Sequence, residues 1–561
     1  MQWLNNKWIA TGASIWIQWS CGASYTFSIY SSVLKSTQGY DQSTLDTVSV
    51  FKDIGANAGI LSGLLYSAVT PYNDARGASI SSENSKWKSL GGPWVVHATG
   101  AIQCFVGFMF IWAAVAGLID RPPVAVMCFF TWLGSNGQTF LNTTNVVTSL
   151  RNFHDYSGTI VGIMKGFLGL SGAILIQLYD TYCNGDPTTY LLMLAVFPTF
   201  ICLLFMCLVR IYAVNNGDDK KHLNRFSLVT MIIVAYLMFI IILQNILTFP
   251  SWARIFTSTI LLVFLATPFG ISIRAQWEES ERFPETLSSE RNSLTNTPEL
   301  ETSSKFSAIE DPLEYYELPS GEGQIASSGD KLFPYEEDMN LLQAMRTVDF
   351  WLLFIAMVSG LGSGLATINN MSQIGQSLGY NTIEINNLVS LWSMWNFLGR
   401  FGGGYVSDYI MHTRGWPRPL FMAITLSIMV LGHIVIACGF PGNLYLGPVL
   451  VGISYGANWS LMPTITSEIF GVKHMGTIFN TIAAASPLGS YILSVRVVGY
   501  IYDKEANNED NTCFGTRCFM LSFFILAAVA CVASFVGMAL YFRTRRFYKL
   551  VVLRRLQHSS R

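Results

Sequence analysis

Charge is what this chain has least of. Asp, Glu, Lys and Arg make up 12% of its 561 residues, about half the roughly 25% of water-soluble domains. The formal net charge of -1 leaves no basic surplus with which to hold a nucleic acid. Histidines are few, and no His, Cys or carboxylate spacing of a metal site occurs, so neither a metal nor another cofactor is expected. A G-x-x-x-x-G-K-[ST] loop to cradle a nucleotide phosphate is missing. No nucleophile, base and orienting group fall at a spacing suited to catalysis, so the chain is not expected to be an enzyme. Nor does it open like a removable leader: its first residues lead into a stretch long enough to span a bilayer. Most cysteines (Cys21, Cys104, Cys128, Cys202, Cys207, Cys438, Cys531) lie inside apolar runs, where they act as small hydrophobes. Cys513 and Cys518 flank a loop and would pair if that loop faced an oxidising lumen.

What the chain has instead is 51% hydrophobic residues, arranged in runs of the length that crosses a hydrocarbon core of about 30 Å. These are read at 8–33, 44–69, 93–119, 122–150, 157–179 and 190–212, then 226–248 and 252–273, then 348–373, 383–406, 420–440, 444–467, 476–502 and 518–542. The expectation is an all-α integral membrane protein: a six-helix bundle (1–213), two extra helices (214–275), a loop (276–345), a second six-helix bundle (346–542) and a basic tail (543–561). If 226–273 formed one re-entrant hairpin, fourteen spans would become twelve. Placing the N-terminus in the cytosol puts Lys7, Arg151, Lys220, Lys221, Arg225, Arg414, Arg418 and the basic tail on that side, as the positive-inside rule requires, and both termini then share it. Residues 276–343 are rich in Ser, Glu, Thr and Pro without helical or alternating period, which reads as a disordered cytosolic loop. Near its end EDMNLL fits an acidic dileucine sorting signal, or else Leu341, Leu342 and Met345 form one face of a short helix. The tail suits an anionic leaflet.

Several stretches carry chemistry. In 391–418 an apolar helix runs into Gly399, Gly402, Gly403 and Gly404, then Asp408, then a turn through Arg414 and Arg418. Glycines let helices approach backbone to backbone in lipid, and the aspartate can accept from a neighbouring helix N-terminus or pair with an arginine across the turn. Gly55, Gly59 and Gly63, and Gly158, Gly162 and Gly166, recur every four residues and form grooves for close contact, static or sliding. Pro487 should free a backbone carbonyl and bend its helix.

Ionisable groups inside apolar runs are costly and mark functional candidates. Lys165 lies about 12 Å into its helix at 1.5 Å per residue, too deep to snorkel easily. Lys52 and Asp53 lie about as far below the opposite surface and, being adjacent, should point to different faces. Arg496 sits nearer the luminal end, while His97 and His433 read as interfacial. In the fourth run Gln138, Asn142 and Asn145 follow one helical face and should line a water-filled cavity, walled by aromatics such as Trp392. Glu468 or Asp53 is the candidate proton-coupling group; Glu468 also lies within reach of Lys473 or Arg400.

Gly404, Asp408 and Arg414 resemble the G-x-x-x-D-x-x-x-R loop signature of the major facilitator superfamily, with a longer, less basic turn. NGQTFLNTTNVVTSLRNFHDYSGTIVGIMKGFLGLSGAILIQLY (136–179) is similar to the most recognisable segment of plant nodulin-like major facilitator proteins. NKWIATGASIWIQWSCGASYTFSIYS, NLLQAMRTVDFWLLF and SEIFGVKHMGTIFN extend the likeness over nearly the whole chain, toward the "nuclear fusion defective" branch. The resemblance implies two rocking bundles, and, through distant likeness to oxalate and formate exchangers and monocarboxylate carriers, a small organic anion as cargo. Against those exchangers, the run 383–406 has no arginine at mid-depth, Arg400 being near the cytosolic end, which leaves an anion site built as theirs without half its clamp.

The expected function is secondary active transport by alternating access, with Lys165, Gln138, Asn142, Asn145, Arg496 and Trp392 at the cargo, Asp53 or Glu468 in coupling, and Gly404, Asp408, Arg414 and Pro487 in the conformational change. Its partners would be a small molecule, protons and the bilayer, and the protein would be a monomer of the plasma membrane or of a vacuolar or other endomembrane. The alternative is a non-transporting scaffold or sensor that engages partners through the 276–343 loop and the tail.

Overall fold

The computed structural model describes residues 6–40, 42–70, 91–183, 186–212, 219–247, 249–295, 338–440, 442–505 and 513–552. Every regular element among them is helical. The first part of the chain forms α1 (Lys7–Ser20), α2 (Phe27–Gln38), α3 (Gln42–Asn57), α4 (Ile60–Val69), α5 (Pro93–Val115), α6 (Val124–Asn152), α7 (Ser157–Tyr182) and α8 (Pro187–Phe205). Then come α9 (Asp219–Ile246) and α10 (Ser251–Thr295). The last part holds α11 (Leu341–Met345), α12 (Val348–Asn369), α13 (Met371–Ser377), α14 (Thr382–Arg414), α15 (Arg418–Cys438), α16 (Asn443–Phe470), α17 (Met475–Ala483), α18 (Ala485–Ser490), α19 (Tyr500–Glu505) and α20 (Arg517–Phe547). Each apolar run of the sequence contains helix, and 9 of the described helices are long and apolar enough to cross a membrane by length and composition.

The breaks within runs have local causes. α3 stops at Asn57, and the carbonyls freed there are caught from α6: Thr139 donates to the carbonyls of Gly55 and Ala56, each at 2.9 Å. An apolar environment demands such partners, because an unpaired carbonyl in hydrocarbon costs several kcal/mol. Pro487 breaks the helix of its run as its chemistry requires: α17 ends at Ala483, α18 lasts only to Ser490, and a π-turn, Tyr491–Gly499, follows. Gly415 takes a left-handed φ of 67° to end α14, and Pro417 precedes α15.

α1 to α8 pack mainly on one another, as do α12 to α20. The two sets meet where α7 lies along α14 and where α4 lies against α17. α9 and α10 pack on each other and on α1 and α7. Lys7 pairs with Asp219 at 2.6 Å, and Trp8 stacks on Phe226. Outward-facing apolar side chains such as Ile102, Phe200, Phe239 and Phe535 stay exposed, a surface that only lipid would cover favourably.

Several expectations change. α10 does not stop near residue 273 but continues to Thr295, into the segment read as disordered. Lys221, Arg225 and Arg274 converge there on Glu278. The hydrogen bonds from Lys221 and then Arg225 hold the Glu278 carboxyl down at about 2, against a small opposing effect of burial. The rest of the loop up to residue 337 lies outside the described residues. The end of the loop is a short helix, α11, capped by Asn340, whose side chain accepts from the Gln343 amide, but of the expected apolar face only Leu341 and Met345 pack inward while Leu342 is exposed. The tail is not wholly a surface helix, because Tyr548 is buried and Arg543 pairs with Asp349 at 2.7 Å; residues 553–561 lie outside the described residues. Cys513 and Cys518 form a disulfide.

Candidate functional site

Two clusters of polar groups sit where the halves meet. The first is at the basic end of the bundle. Both glycine stripes reach the opposite half there, the first through Gly59 and Gly63 while Gly55 packs on α6 of its own half. A side chain at Gly404 would collide with the Gly158 carbonyl, and one at Gly63 with the backbone of Gly476 and Thr477. This closeness lets Asp408 accept hydrogen bonds from the amides of Gly158 and Thr159, at the N-terminal end of α7. The same carboxylate is paired with Arg418, whose guanidinium also donates to Ser407 at 2.6 Å, to Ser157 at 3.2 Å and to Glu468 at 2.7 Å. Tyr548 closes the chain by donating to the second Glu468 oxygen at 2.7 Å. Nearby, Arg151 of α6 reaches the Lys473 carbonyl at 3.1 Å.

The partner of Asp408 is therefore Arg418 and not Arg414. Arg414 occupies the last turn of α14 and lies over the Trp416 ring, 5.8 Å from its centre. Glu468 likewise pairs with neither Lys473 nor Arg400, but with Arg418.

The second cluster lies deeper. Lys165 of α7 is buried, and its ammonium donates to Asn142 Oδ1 at 3.3 Å. It also faces two rings of the opposite half, Phe479 at 4.6 Å and Trp459 at 5.5 Å. Arg400 of α14 is buried beside it. Its guanidinium donates to Asn396 at 3.0 Å, to the Lys165 carbonyl at 3.3 Å and to the Tyr25 hydroxyl at 3.3 Å, and lies over the same Trp459 ring at 5.8 Å. Neither cation has an ion pair among the described residues. Two adjacent buried positive charges, one from each half, thus stand with only neutral acceptors and aromatic faces around them. Arg400 is therefore not a shallow residue near the helix end but stands beside Lys165.

Of the other sequence-read residues, Trp392 is buried in the wall of this region, stacking toward Tyr455 at 6.0 Å, and Tyr455 in turn meets Trp459. Gln138, Asn142 and Asn145 do not line open water. They are buried, and Asn142 and Asn145 are bonded to Gln18 and, for Asn145, to His97. Gln138 accepts from Ser24 at 3.5 Å, while its Nε2 has no partner among the described residues. Arg496 is not at the site: it faces outward and binds the Tyr491 hydroxyl at 2.8 Å across the π-turn. Lys52 and Asp53 do not diverge, since the flexible lysine bends back to pair with its neighbour at 3.1 Å, leaving the Asp53 side chain 49% exposed. His97 and His433, read as interfacial from their closeness to span ends, are both fully buried within the protein.

Residues 7–74 and 88–273 match the Nodulin-like family model, and 333–550 match that of the NFD4 C-terminal domain. The chain thus joins a Nodulin-like part to an NFD4 C-terminal part, the two matches together taking in most of its length. It is 24% identical to "Protein NUCLEAR FUSION DEFECTIVE 4" of Arabidopsis thaliana over 97% of this chain and 89% of that protein. It is 27% identical to the "Probable transporter MCH1" of Candida glabrata, over 32% of this chain and 39% of that one. Among solved structures, the proton:xylose symporter XylE, of the major facilitator superfamily, superposes with a TM-score of 0.51 at 11% identity, covering 97% of this chain and 95% of that one. This nodulin-like protein is thus a multi-pass membrane protein with the major facilitator fold, and among the proteins it resembles the Candida glabrata one is named a probable transporter and XylE a symporter.

Proposed function

We propose that this nodulin-like protein is a secondary active transporter that moves a small organic anion by alternating access. One observation carries the reading: Lys165 and Arg400, contributed by opposite halves, are buried together without a carboxylate among the described residues. Burying an ion without a counter-charge is expensive, and an anion arriving between the halves would supply the missing charge to both at once. It would also draw the two halves together, which gives binding a way to favour one arrangement over another. Asn142 and Trp392 shape the site around the ammonium.

Alternating access needs a contact that can be made and released. Gly158 against Gly404, with Asp408 capping the start of α7, is such a contact: side-chain-free, bonded through backbone amides, and crossing from one half to the other. It closes the basic end, which faces the cytosol together with both termini. Asp53, half exposed beside Lys52, carries the coupling proton, and Glu468 serves the closure through Arg418. The protein works as a monomer in the plasma membrane or a vacuolar or other endomembrane. Proteoliposomes loaded with a panel of labelled organic acids, amino acids and metal chelates, with and without a pH gradient, test this directly. Uptake of one or more acids, enhanced by the gradient, is expected; uptake confined to neutral or cationic solutes would refute it.

A further inference from the structure

A line of side chains runs from Lys165 through the first half and ends at a histidine that the transport reading leaves unused. Lys165 Nζ lies 3.3 Å from Asn142 Oδ1, and Gln18 Nε2 lies 2.7 Å from that same oxygen. Asn145 Nδ2 is 2.9 Å from Gln18 Oε1, and His97 Nε2 is 3.0 Å from Asn145 Oδ1. The line joins α7, α6, α1 and α5, and all five side chains are buried.

Its polarity follows from chemistry alone. An ammonium only donates, so the Asn142 atom facing Lys165 must be the oxygen. The Gln18 atom that meets this oxygen must then be its NH2 group, which turns the Gln18 oxygen toward Asn145. Asn145 must present its own NH2 there, which leaves its oxygen for the imidazole. His97 Nε2 therefore carries the proton. The other ring nitrogen, Nδ1, has no hydrogen-bond partner among the described residues, as suits a nitrogen without a proton. Any single amide turned the other way would set donor against donor or oxygen against oxygen in a buried place, which is costly.

We propose that His97 is a positioning residue for the ammonium of Lys165, acting through Asn145, Gln18 and Asn142. By donating from Nε2 it holds the three amides in the one order that turns the Asn142 oxygen, rather than its NH2, toward Lys165. That oxygen keeps the ammonium beside Arg400, ready for an anion. Without the His97 donor the Asn145 oxygen is left unpaired in a buried place, the order of the amides is fixed from the Lys165 end alone, and the Asn142 oxygen is held toward the ammonium less firmly. What Lys165 binds rests on the proposed transport of an organic anion; the relay itself does not.

The test has two arms. In the first, protein carrying heavy-nitrogen-labelled histidine is reconstituted in nanodiscs, and the imidazole nitrogens of His97, assigned with His97→Gln, are read by NMR. Wild type should show a single Nε2-protonated tautomer, and Lys165→Met, which removes the obligate donor, should give a tautomer mixture. An unchanged His97 spectrum in Lys165→Met would overturn the relay whether or not any acid is transported. In the second arm, uptake of radiolabelled succinate is compared for wild type, His97→Phe and His97→Gln. His97→Phe should raise KM about tenfold, the size of one hydrogen bond to a charged group, with the maximal rate within about twofold. His97→Gln, which can still donate, should restore KM. A fall in maximal rate with unchanged KM, or no rescue by Gln in correctly folded protein, would show a structural role only. If no acid is taken up by wild type, the transport reading fails and the first arm alone decides the relay.

Discussion

The two clusters between the halves are built on opposite principles. At the basic end the charges are matched: Asp408 and Glu468 share the guanidinium of Arg418, and helix amides, Ser157, Ser407 and Tyr548 satisfy what remains. Deeper in, Lys165 and Arg400 are two like charges with no carboxylate among the described residues between them. A matched buried network is a fastening, and taking one member away leaves the others stranded. An unmatched buried pair is already at a disadvantage in stability, which makes sense only if something else completes it.

The comparison predicts that mutations of superficially similar severity act in opposite ways. Arg418→Ala should have the largest effect, lowering stability by about 3–5 kcal/mol because Asp408 and Glu468 stay buried and uncompensated; detergent-solubilised protein would show it as a large fall in Tm. Next, Gly404→Leu should force the basic end apart, since overpacking costs about 1–3 kcal/mol and would shift the closing equilibrium roughly ten- to a hundredfold. A single cysteine at Ser157 should then react faster with a membrane-impermeant maleimide applied from the basic side. Arg414→Ala should change stability by no more than about 0.5 kcal/mol, the range of an ordinary surface substitution; a loss near that of Arg418→Ala would erase the distinction drawn between the two arginines. The smallest effect concerns Glu278. Its carboxyl is held down at about 2, so its contribution is present above the ordinary carboxylate range and is lost as pH falls from near 4.5 toward 2. Glu278→Gln should flatten the acid side of the Tm profile slightly and leave it unchanged near neutrality.

Much of the architecture is legible in the sequence because lipid imposes it. Run length sets the spans, Pro487 must break its helix, and glycines at every fourth position must lie where backbones meet. What the sequence hides is depth and direction. Arg400 reads as shallow because the apolar run stops at residue 406, but α14 continues to Arg414, which places Arg400 about 21 Å from the helix end. Arg414 and Arg418 stand on either side of Gly415 and Pro417, and only the geometry of that turn decides which one returns to Asp408. His97 lies one turn inside α5, near its start, yet the face it occupies meets Asn145, and distance along an axis says nothing about face. Arg496 sits beyond Pro487, where the π-turn changes the register that an ordinary helix would have given it. The amide face of α6 reads as wet because unpaired amides are costly; the structure meets the same demand with Gln18 and His97 instead.

The most direct measurement sets uptake against stability in one variant. Lys165→Met removes an unmatched buried charge while keeping the bulk of the side chain, so Tm should hold or rise by the equivalent of about 1 kcal/mol, while proteoliposome uptake of labelled organic acids should vanish. Uptake equal to wild type, or a collapse in Tm of the size expected for Arg418→Ala, would contradict the account.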